Sequence, residues 1–489
     1  MDLRQKAASN FIWRFLERFG AQGVGFVVSL LLSRKLGPGP YGLVATVTVF
    51  TSIVSIFVTC GLNDALIQKK NADDLDFSTV FYFNILMCVA LYALMYIGAP
   101  LIAKIYDQPE LIGPLRGLSL ILVFGGIKNV QVAYVSRNLL FKRFFYATLT
   151  GTLVAAVVGI WMAYNGYGVW ALIVQNLVNT TIDTIILWLT VHWRPKKMFS
   201  FERLKELFSY AWKLLVSSLV DTVYNKLAQI VIGLRDTDEA LAYYNKGDTI
   251  PSLLVTNINE STNNILLPIM SSEQDNVPQV RMMTRRAIQL SSFIIMPMMA
   301  GLAAVALPFV RLVLADDWLP AVPYLQIFSF VFAFYCVHTA NLNAIKALGR
   351  SDLFLKLEII KKTIGILTLF VTAQISVMAI ALGQIFTCIT GQIINSWPNR
   401  KLLGYSYRDQ LKDMLPHILL SAGMGLAVWA VSLLGLHDLI TLLIQIPLGI
   451  ALYVAGAKLF KLEIWDYALS LLKGLIGRNK TTETEGEKV

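Results

Sequence analysis

Fourteen apolar runs of roughly 17–25 residues recur along this 489-residue chain, centred near residues 24, 52, 88, 122, 155, 180, 220, 258, 297, 332, 363, 386, 425 and 448. Each is long enough to cross the hydrocarbon of a bilayer as a helix. Composition agrees, with 56% hydrophobic and 15% charged residues, where soluble domains carry about 25% charged. The runs near 220 and 258 are broken by Asp221, Lys226, Asn257, Asn259, Glu260, Asn263 and Asn264. They are retained because an internal repeat requires them.

That repeat is the second constraint. Residues 99–116 end an apolar run with proline, cross a short polar turn containing Asp107, and re-enter an apolar run; residues 307–320 do the same about 208 residues later. A similar offset pairs 168–175 with 377–384, and Phe11-Ile12-Trp13-Arg14 faces Tyr210-Ala211-Trp212-Lys213. Duplicated bundles are a common build for transporters, whose substrate site lies between the halves. The expected fold is an all-α polytopic membrane protein with about 14 transmembrane helices, two pseudo-symmetric six-helix lobes plus two extra C-terminal helices. Residues 1–195 form the first lobe, 196–400 the second, and 401–460 the two added spans. Residues 461–489 make an interfacial amphipathic helix, carrying Leu462, Trp465, Leu469 and Leu472 on one face, and a disordered tail.

Basic residues set the orientation. A cytoplasmic N-terminus places Lys69, Lys70, Arg137, Lys142, Arg143, Arg194, Lys196, Lys197, Arg281, Arg285, Arg286, Arg400 and Lys401 inside, as the positive-inside rule asks. Both termini are then cytoplasmic, and the net charge of +11 is a topology signal. It does not indicate nucleic-acid binding, since no soluble basic domain exists to carry it. The first apolar segment runs past the length of a signal h-region and lacks a cleavage site. Cys60, Cys88, Cys336 and Cys388 all fall in spans, where cysteine is a small buried apolar side chain, and no metal-ligand spacing is present.

Ionisable residues within spans face cavities or partners, and here they fall in stripes. Asn10, Arg14, Arg18, Gln22 and Ser29 trace one face of the first span, and Lys213, Ser217, Asp221 and Tyr224 one face of the seventh. Asn257, Glu260, Ser261 and Asn264 share a face of the eighth, Gln175, Asn179 and Asp183 one of the sixth, and Lys128 and Asn129 lie in the fourth. Candidate ligands for an anionic, hydroxyl-rich substrate are Arg14, Arg18, Gln22, Lys128, Lys213, Asn257 and Asn264. Candidates for ion coupling are Asp221, Glu260 and Asp183. Each has a plainer role open to it: Arg14 and Arg18 could snorkel to headgroups, Asn179 and Asn264 could bond neighbouring helices, and His338 reads as a packing residue.

Four short elements carry a family likeness. Gly37-Pro38-Gly39-Pro40-Tyr41-Gly42-Leu43 resembles the LG-x-x-x-YG-L element of polysaccharide flippases, and Gly61-Leu62-Asn63-Asp64-Ala65-Leu66-Ile67-Gln68 their G-x-x-x-A-L-I-Q element. Gly166-Tyr167-Gly168-Val169-Trp170-Ala171-Leu172-Ile173-Val174-Gln175 resembles G-x-x-x-WAL-x-x-Q, and Tyr243-Tyr244-Asn245 their Y-Y-N. The likeness spans nearly the whole chain and is nearest the Wzx-type, colanic-acid and teichuronic-acid exporter branch of the multidrug/oligosaccharidyl-lipid/polysaccharide superfamily. It implies alternating access by two six-helix lobes in the bacterial inner membrane. It also implies an undecaprenyl-pyrophosphate-linked oligosaccharide as substrate, membrane lipids and a polysaccharide polymerase machinery as partners, and no cofactor beyond a coupling ion, Na+ or H+.

Two alternatives compete. A multidrug or cation exporter of the same superfamily favours an apolar chamber with unpaired carboxylates, whereas this set is net basic. A membrane glycan polymerase or ligase needs a sizeable outer loop, and residues 165–168, 374–376 and 436–438 leave none. No Gly-rich phosphate loop with Lys-Ser/Thr is present, so the chain reads as a transporter and not an enzyme.

Overall fold

The computed structural model describes residues 3–59, 61–138 and 140–465, and within these every side chain except those of residues 3–19, 261, 264 and 265. Among the described residues there are helices and no strands. The first set runs α1 (Leu3–Leu36), α2 (Pro38–Thr59), a short α3 (Leu62–Gln68), α4 (Asp74–Ile105), α5 (Ile112–Arg137), α6 (Phe141–Tyr164) and α7 (Val169–Thr190). The second runs α8 (Phe201–Arg235), α9 (Asp238–Ser272), α10 (Val277–Ala304), α11 (Ala306–Val313), α12 (Val322–Ala333), α13 (Tyr335–Ala347), α14 (Ser351–Thr372) and α15 (Val377–Leu402). Outside the repeat stand α16 (Tyr407–Val431) and α17 (Asp438–Leu459).

All fourteen apolar centres fall within these helices. Ten stretches among the described residues are long and apolar enough to cross a membrane. The chain is therefore a multi-pass membrane protein. α8, α9 and α14 are as long but too polar to join that set; α14 carries Asp352, Lys356, Glu358, Lys361 and Lys362. The amphipathic segment predicted from residue 461 and the tail after it lie mostly outside the described residues. Trp465 is described, and its ring meets Phe293 at 6.3 Å.

The repeat is visible in the backbone. α4 ends at Ile105, Asp107 takes a left-handed φ of 52°, a 3-10 turn follows at Pro109–Leu111, and α5 begins. In the second set α11 ends at Val313, Ala315 takes φ 86°, a 3-10 turn follows at Asp316–Ala321, and α12 begins. A left-handed conformation costs a non-glycine residue roughly 1–2 kcal/mol, so both corners are imposed by their surroundings: Leu111, Leu314 and Trp318 are completely buried there. The 332-centred run differs from α5, because it breaks at Phe334 into α12 and α13.

Contacts group the chain into two compact units, 1–242 and 243–489. The grouping packs α8 with the first unit, although the repeat pairs α8 with α1. Gly61 shows why α8 sits so close to α3. It has φ 92°, and a Cβ on it would stand 2.5 Å from the Ala211 carbonyl oxygen of α8, so only glycine fits both the turn and the contact.

The basic connector between the repeats is laced onto the start of α4. Trp193 Nε1 donates to Asp74 at 3.1 Å, Lys196 pairs with Asp74 at 2.6 Å, and the Lys196 and Ser200 amides donate to the Ser78 and Thr79 hydroxyls. Lys69 bridges the fully buried Asp76 at 3.0 Å and Glu206 of α8 at 2.9 Å. Burial opposes the Lys69 charge, but hydrogen bonds to Glu206 and Asp76 outweigh it and hold its pKa above the usual lysine value. The Asp76 amide, helped by Arg203 and Lys69, holds the Asp73 carboxyl below the usual range. The Lys69 contribution is thus present below the ordinary lysine pKa and lost as pH rises through the raised one. That of Asp73 is present above the ordinary carboxylate pKa and lost as pH falls through the lowered one. Lys69→Met leaves the Asp76 charge buried without its ammonium and is expected to cost about 3 kcal/mol. Glu206→Gln, at an exposed carboxylate, should cost under about 1 kcal/mol. Thermal melting of the purified chain checks both, and equal melting temperatures for Lys69→Met and wild type would remove the Lys69–Asp76 pair from the stability account.

Candidate substrate chamber

Within the first unit, α2, α5 and α7 enclose a cavity of about 290 Å³. α2 contributes Thr48, Thr51, Ser52, Ser55 and Thr59, a spacing of three and four residues that puts all five on one helix face. Thr51 donates to the Val47 carbonyl at 3.1 Å, Ser55 to Ser52 at 2.8 Å and Thr59 to Ser55 at 3.0 Å. Hydroxyls that donate to their own helix present their lone pairs outward. The wall therefore offers acceptors, which suits the hydroxyl donors of a sugar.

α5 contributes Gly125, Lys128 and Asn129, and α7 Asn176 and Thr180. A stitch holds these two helices together: Trp188 Nε1 donates to the Ile127 carbonyl at 3.2 Å. Asn129 is fixed from below, donating to the Val58 carbonyl while Asn63 of α3 donates to the Asn129 carbonyl at 3.1 Å. Lys128 Nζ lies 2.7 Å from Asp183 Oδ2, with the two side chains 25% and 14% exposed. Asp183 Oδ1 is buried without a hydrogen-bond partner. One half-buried ammonium thus lies beside hydroxyls and amides, with Val58, Leu118, Ile121 and Leu122 completing the lining.

Of the ten candidates from sequence, the structure brings Lys128 and Asp183 into contact, a pair assigned separate roles above. Gln22 on α1 and Lys213 and Asp221 on α8 are exposed. Asn257 and Glu260 are half-buried on α9, where the Asn257 amide donates to the Leu253 carbonyl at 3.0 Å. The side chains of Arg14, Arg18 and Asn264 lie outside the described residues. Sequence reasoning missed the α2 hydroxyl face, whose signal was the Thr/Ser spacing inside an apolar run.

The four motif elements turn out to be packing devices. Tyr41 donates to the Ser29 carbonyl at 2.9 Å. Trp170 lies over Gly113 and Gly117, and Gln175 over Gly159. Tyr243 donates to the Asp317 carbonyl at 3.1 Å and meets Trp318 edge-on.

Residues 31–323 match the family described as "Polysaccharide biosynthesis protein". The chain is 25% identical over 420 residues to the teichuronic acid biosynthesis protein TuaB of Bacillus subtilis (strain 168), covering 84% of each. It is 21% identical to the lipopolysaccharide biosynthesis protein WzxC of Escherichia coli (strain K12), over 88% of this chain and 89% of the other. Among solved structures, the lipid II flippase MurJ in its inward closed conformation superposes with a TM-score of 0.76 at 16% identity, covering 93% of this chain and 99% of that one.

Proposed function

From the premise that the chain belongs to the polysaccharide biosynthesis protein family, we propose that it is a transporter that flips an undecaprenyl-pyrophosphate-linked oligosaccharide. Movement runs from the cytoplasmic to the outer leaflet of the bacterial inner membrane, by alternating access, with both termini in the cytoplasm and a polysaccharide polymerase downstream. The observation that carries this reading is the chamber of α2, α5 and α7, whose lining includes Thr and Ser hydroxyls, Asn129, Asn176 and the Lys128 ammonium.

The chemistry divides between wall and base. The α2 hydroxyls, Asn176 and Thr180 meet sugar hydroxyls, while Lys128 meets a phosphate oxygen by a charge-assisted hydrogen bond. Lys128 is held by Asp183 before substrate arrives. A pyrophosphate that takes the ammonium strips Asp183 of its counter-charge, and a half-buried carboxylate left alone is costly. Substrate entry therefore obliges the site to bind a cation or proton, which ties flipping to an ion gradient. Arg14, Arg18, Gln22, Lys213, Asn257 and Asn264 are further contacts in this reading, with Asp221 and Glu260 as additional coupling groups.

A strain deleted for this chain should accumulate lipid-linked repeat units on the cytoplasmic leaflet and lose its surface polymer, with both defects reversed by the wild-type copy. A deletion strain with normal surface polymer would overturn the assignment.

A further inference from the structure

In the second unit the start of α10 meets the start of α16 in a corner that the transport scheme leaves unused. Arg281, Arg285, Tyr405, Asp409, Lys412 and Asp413 line a cavity of about 410 Å³ there. Both carboxylates are already taken. Asp413 accepts two hydrogen bonds from the Arg285 guanidinium, at 2.9 and 2.7 Å, and one from the Tyr405 hydroxyl at 2.7 Å. Asp409 accepts from the Ser406 amide at 3.0 Å and from its hydroxyl at 2.6 Å, closing the cap of α16. Arg281 and Lys412 line the same cavity, and among the described residues neither makes a hydrogen bond or an ion pair. A Cβ on Gly404 would stand 3.5 Å from Arg281 Nη1, so the guanidinium lies against the turn leading into α16, its donors unspent.

The first copy of the repeat shows the same corner with its charges matched the other way. There α4 is capped by Asp73 and carries Asp74 and Asp76 in its first turn, and Lys69, Lys196 and Arg203 pair with them. With Glu206, four carboxylates meet three cations. In the second copy the signs are exchanged. α10 has no acidic residue in its first turn, and three cations meet two carboxylates around the cavity. The surplus is one positive charge, which matches the single negative charge of a phosphodiester and falls short of a pyrophosphate. Val277, Met282, Leu411 and Leu415 are exposed around this corner, so the cavity opens beside apolar helix surface. A phosphate held there sits where headgroups give way to hydrocarbon.

We propose that this corner binds the phosphodiester of an anionic phospholipid such as phosphatidylglycerol, with Arg281 forking the phosphate oxygens and Lys412 meeting them from α16. The site needs only a membrane protein and stands apart from the transport reading. A guanidinium grips two oxygens in its plane, and an ammonium supplies a point charge, so one cation from each helix meets on one phosphate. α16 lies outside the repeat, and the lipid ties it to α10 in addition to the Arg285–Asp413 pair. A zwitterionic headgroup brings its own cation and leaves the surplus charge of the corner unmatched. Inorganic phosphate offers the same oxygens without an acyl chain to rest beside the exposed Met282 and Leu411.

Native mass spectrometry of the full-length protein, released from phosphatidylcholine nanodiscs with added phosphatidylglycerol, measures the bound lipid. Wild type should retain one phosphatidylglycerol in preference to phosphatidylcholine. Arg281→Gln with Lys412→Gln should weaken that binding at least about tenfold, because two charge-assisted contacts are lost, and Lys412→Gln alone should fall between. Lys401→Gln with Arg408→Gln removes the same charge from exposed positions outside the cavity and should bind as wild type does. In phosphatidylcholine alone all of these proteins should melt at the same temperature. Phosphatidylglycerol should then raise the melting temperature of wild type and of the Lys401/Arg408 variant, but not of the Arg281/Lys412 variant. Equal loss of lipid from the two double variants, or a wild type without preference for phosphatidylglycerol, overturns the proposal and leaves a diffuse surface charge. Displacement of the lipid by inorganic phosphate, but not by chloride at equal ionic strength, assigns the cavity to free phosphate and overturns the lipid as its ligand.

Discussion

Gly42→Val is expected to accumulate in the membrane at less than about a tenth of the wild-type level. A Cβ on Gly42 of α2 would stand 1.8 Å from the carbonyl oxygen and 2.3 Å from the carbonyl carbon of Asp238, at the start of α9. Overpacking a core costs about 1–3 kcal/mol when side chains can shift. Here the obstacle is backbone, so the helices have to separate, and a total stability of about 5–15 kcal/mol leaves little margin. Gly98→Val is the control: nothing lies within 4 Å of its added Cβ, and it should accumulate normally. Quantitative immunoblots of membrane fractions decide the matter, and equal levels of the two variants would remove the close crossing of α2 and the first turn of α9.

The second large effect concerns the chamber base. Asp183→Ala leaves Lys128 half-buried without its 2.7 Å partner and is expected to cost about 3 kcal/mol, as for other broken buried pairs. Replacing both residues, as Lys128→Met with Asp183→Leu, removes the uncompensated charge and should return the protein to near wild-type amounts. Export should not return with it. Surface polymer in the deletion strain is expected to fall at least tenfold for the double variant, because a phosphate no longer finds its ammonium. Full export by a well-accumulated double variant would sink the role given to Lys128.

Much of the architecture was legible because a bilayer simplifies the code. A helix that must cross lipid writes its length into the sequence, and each apolar centre lies in a helix. The corner at Asp107 and its counterpart at Ala315 could be paired because proline and aspartate punctuate both turns. α3 escaped notice as a helix, since seven residues are too few for a periodicity to emerge. The hydroxyl face of α2 escaped because threonine and serine hardly depress the hydropathy of a strongly apolar run. Lys128 and Asp183 were each singled out, but they lie 55 residues apart and only packing of α5 on α7 could show them to be one pair.

The offset between ancestry and packing at α8 bears on how such a chain could be divided. By the sequence repeat α8 opens the second copy, but it leans on α2, α3 and α4 and is tied through Glu206 to Lys69. Scission at the genetic joint, before residue 200, would orphan a long helix from the scaffold that shelters it. Scission after Arg235 would leave it housed. The seam of the sequence repeat and the seam of packing thus fall at opposite ends of one helix.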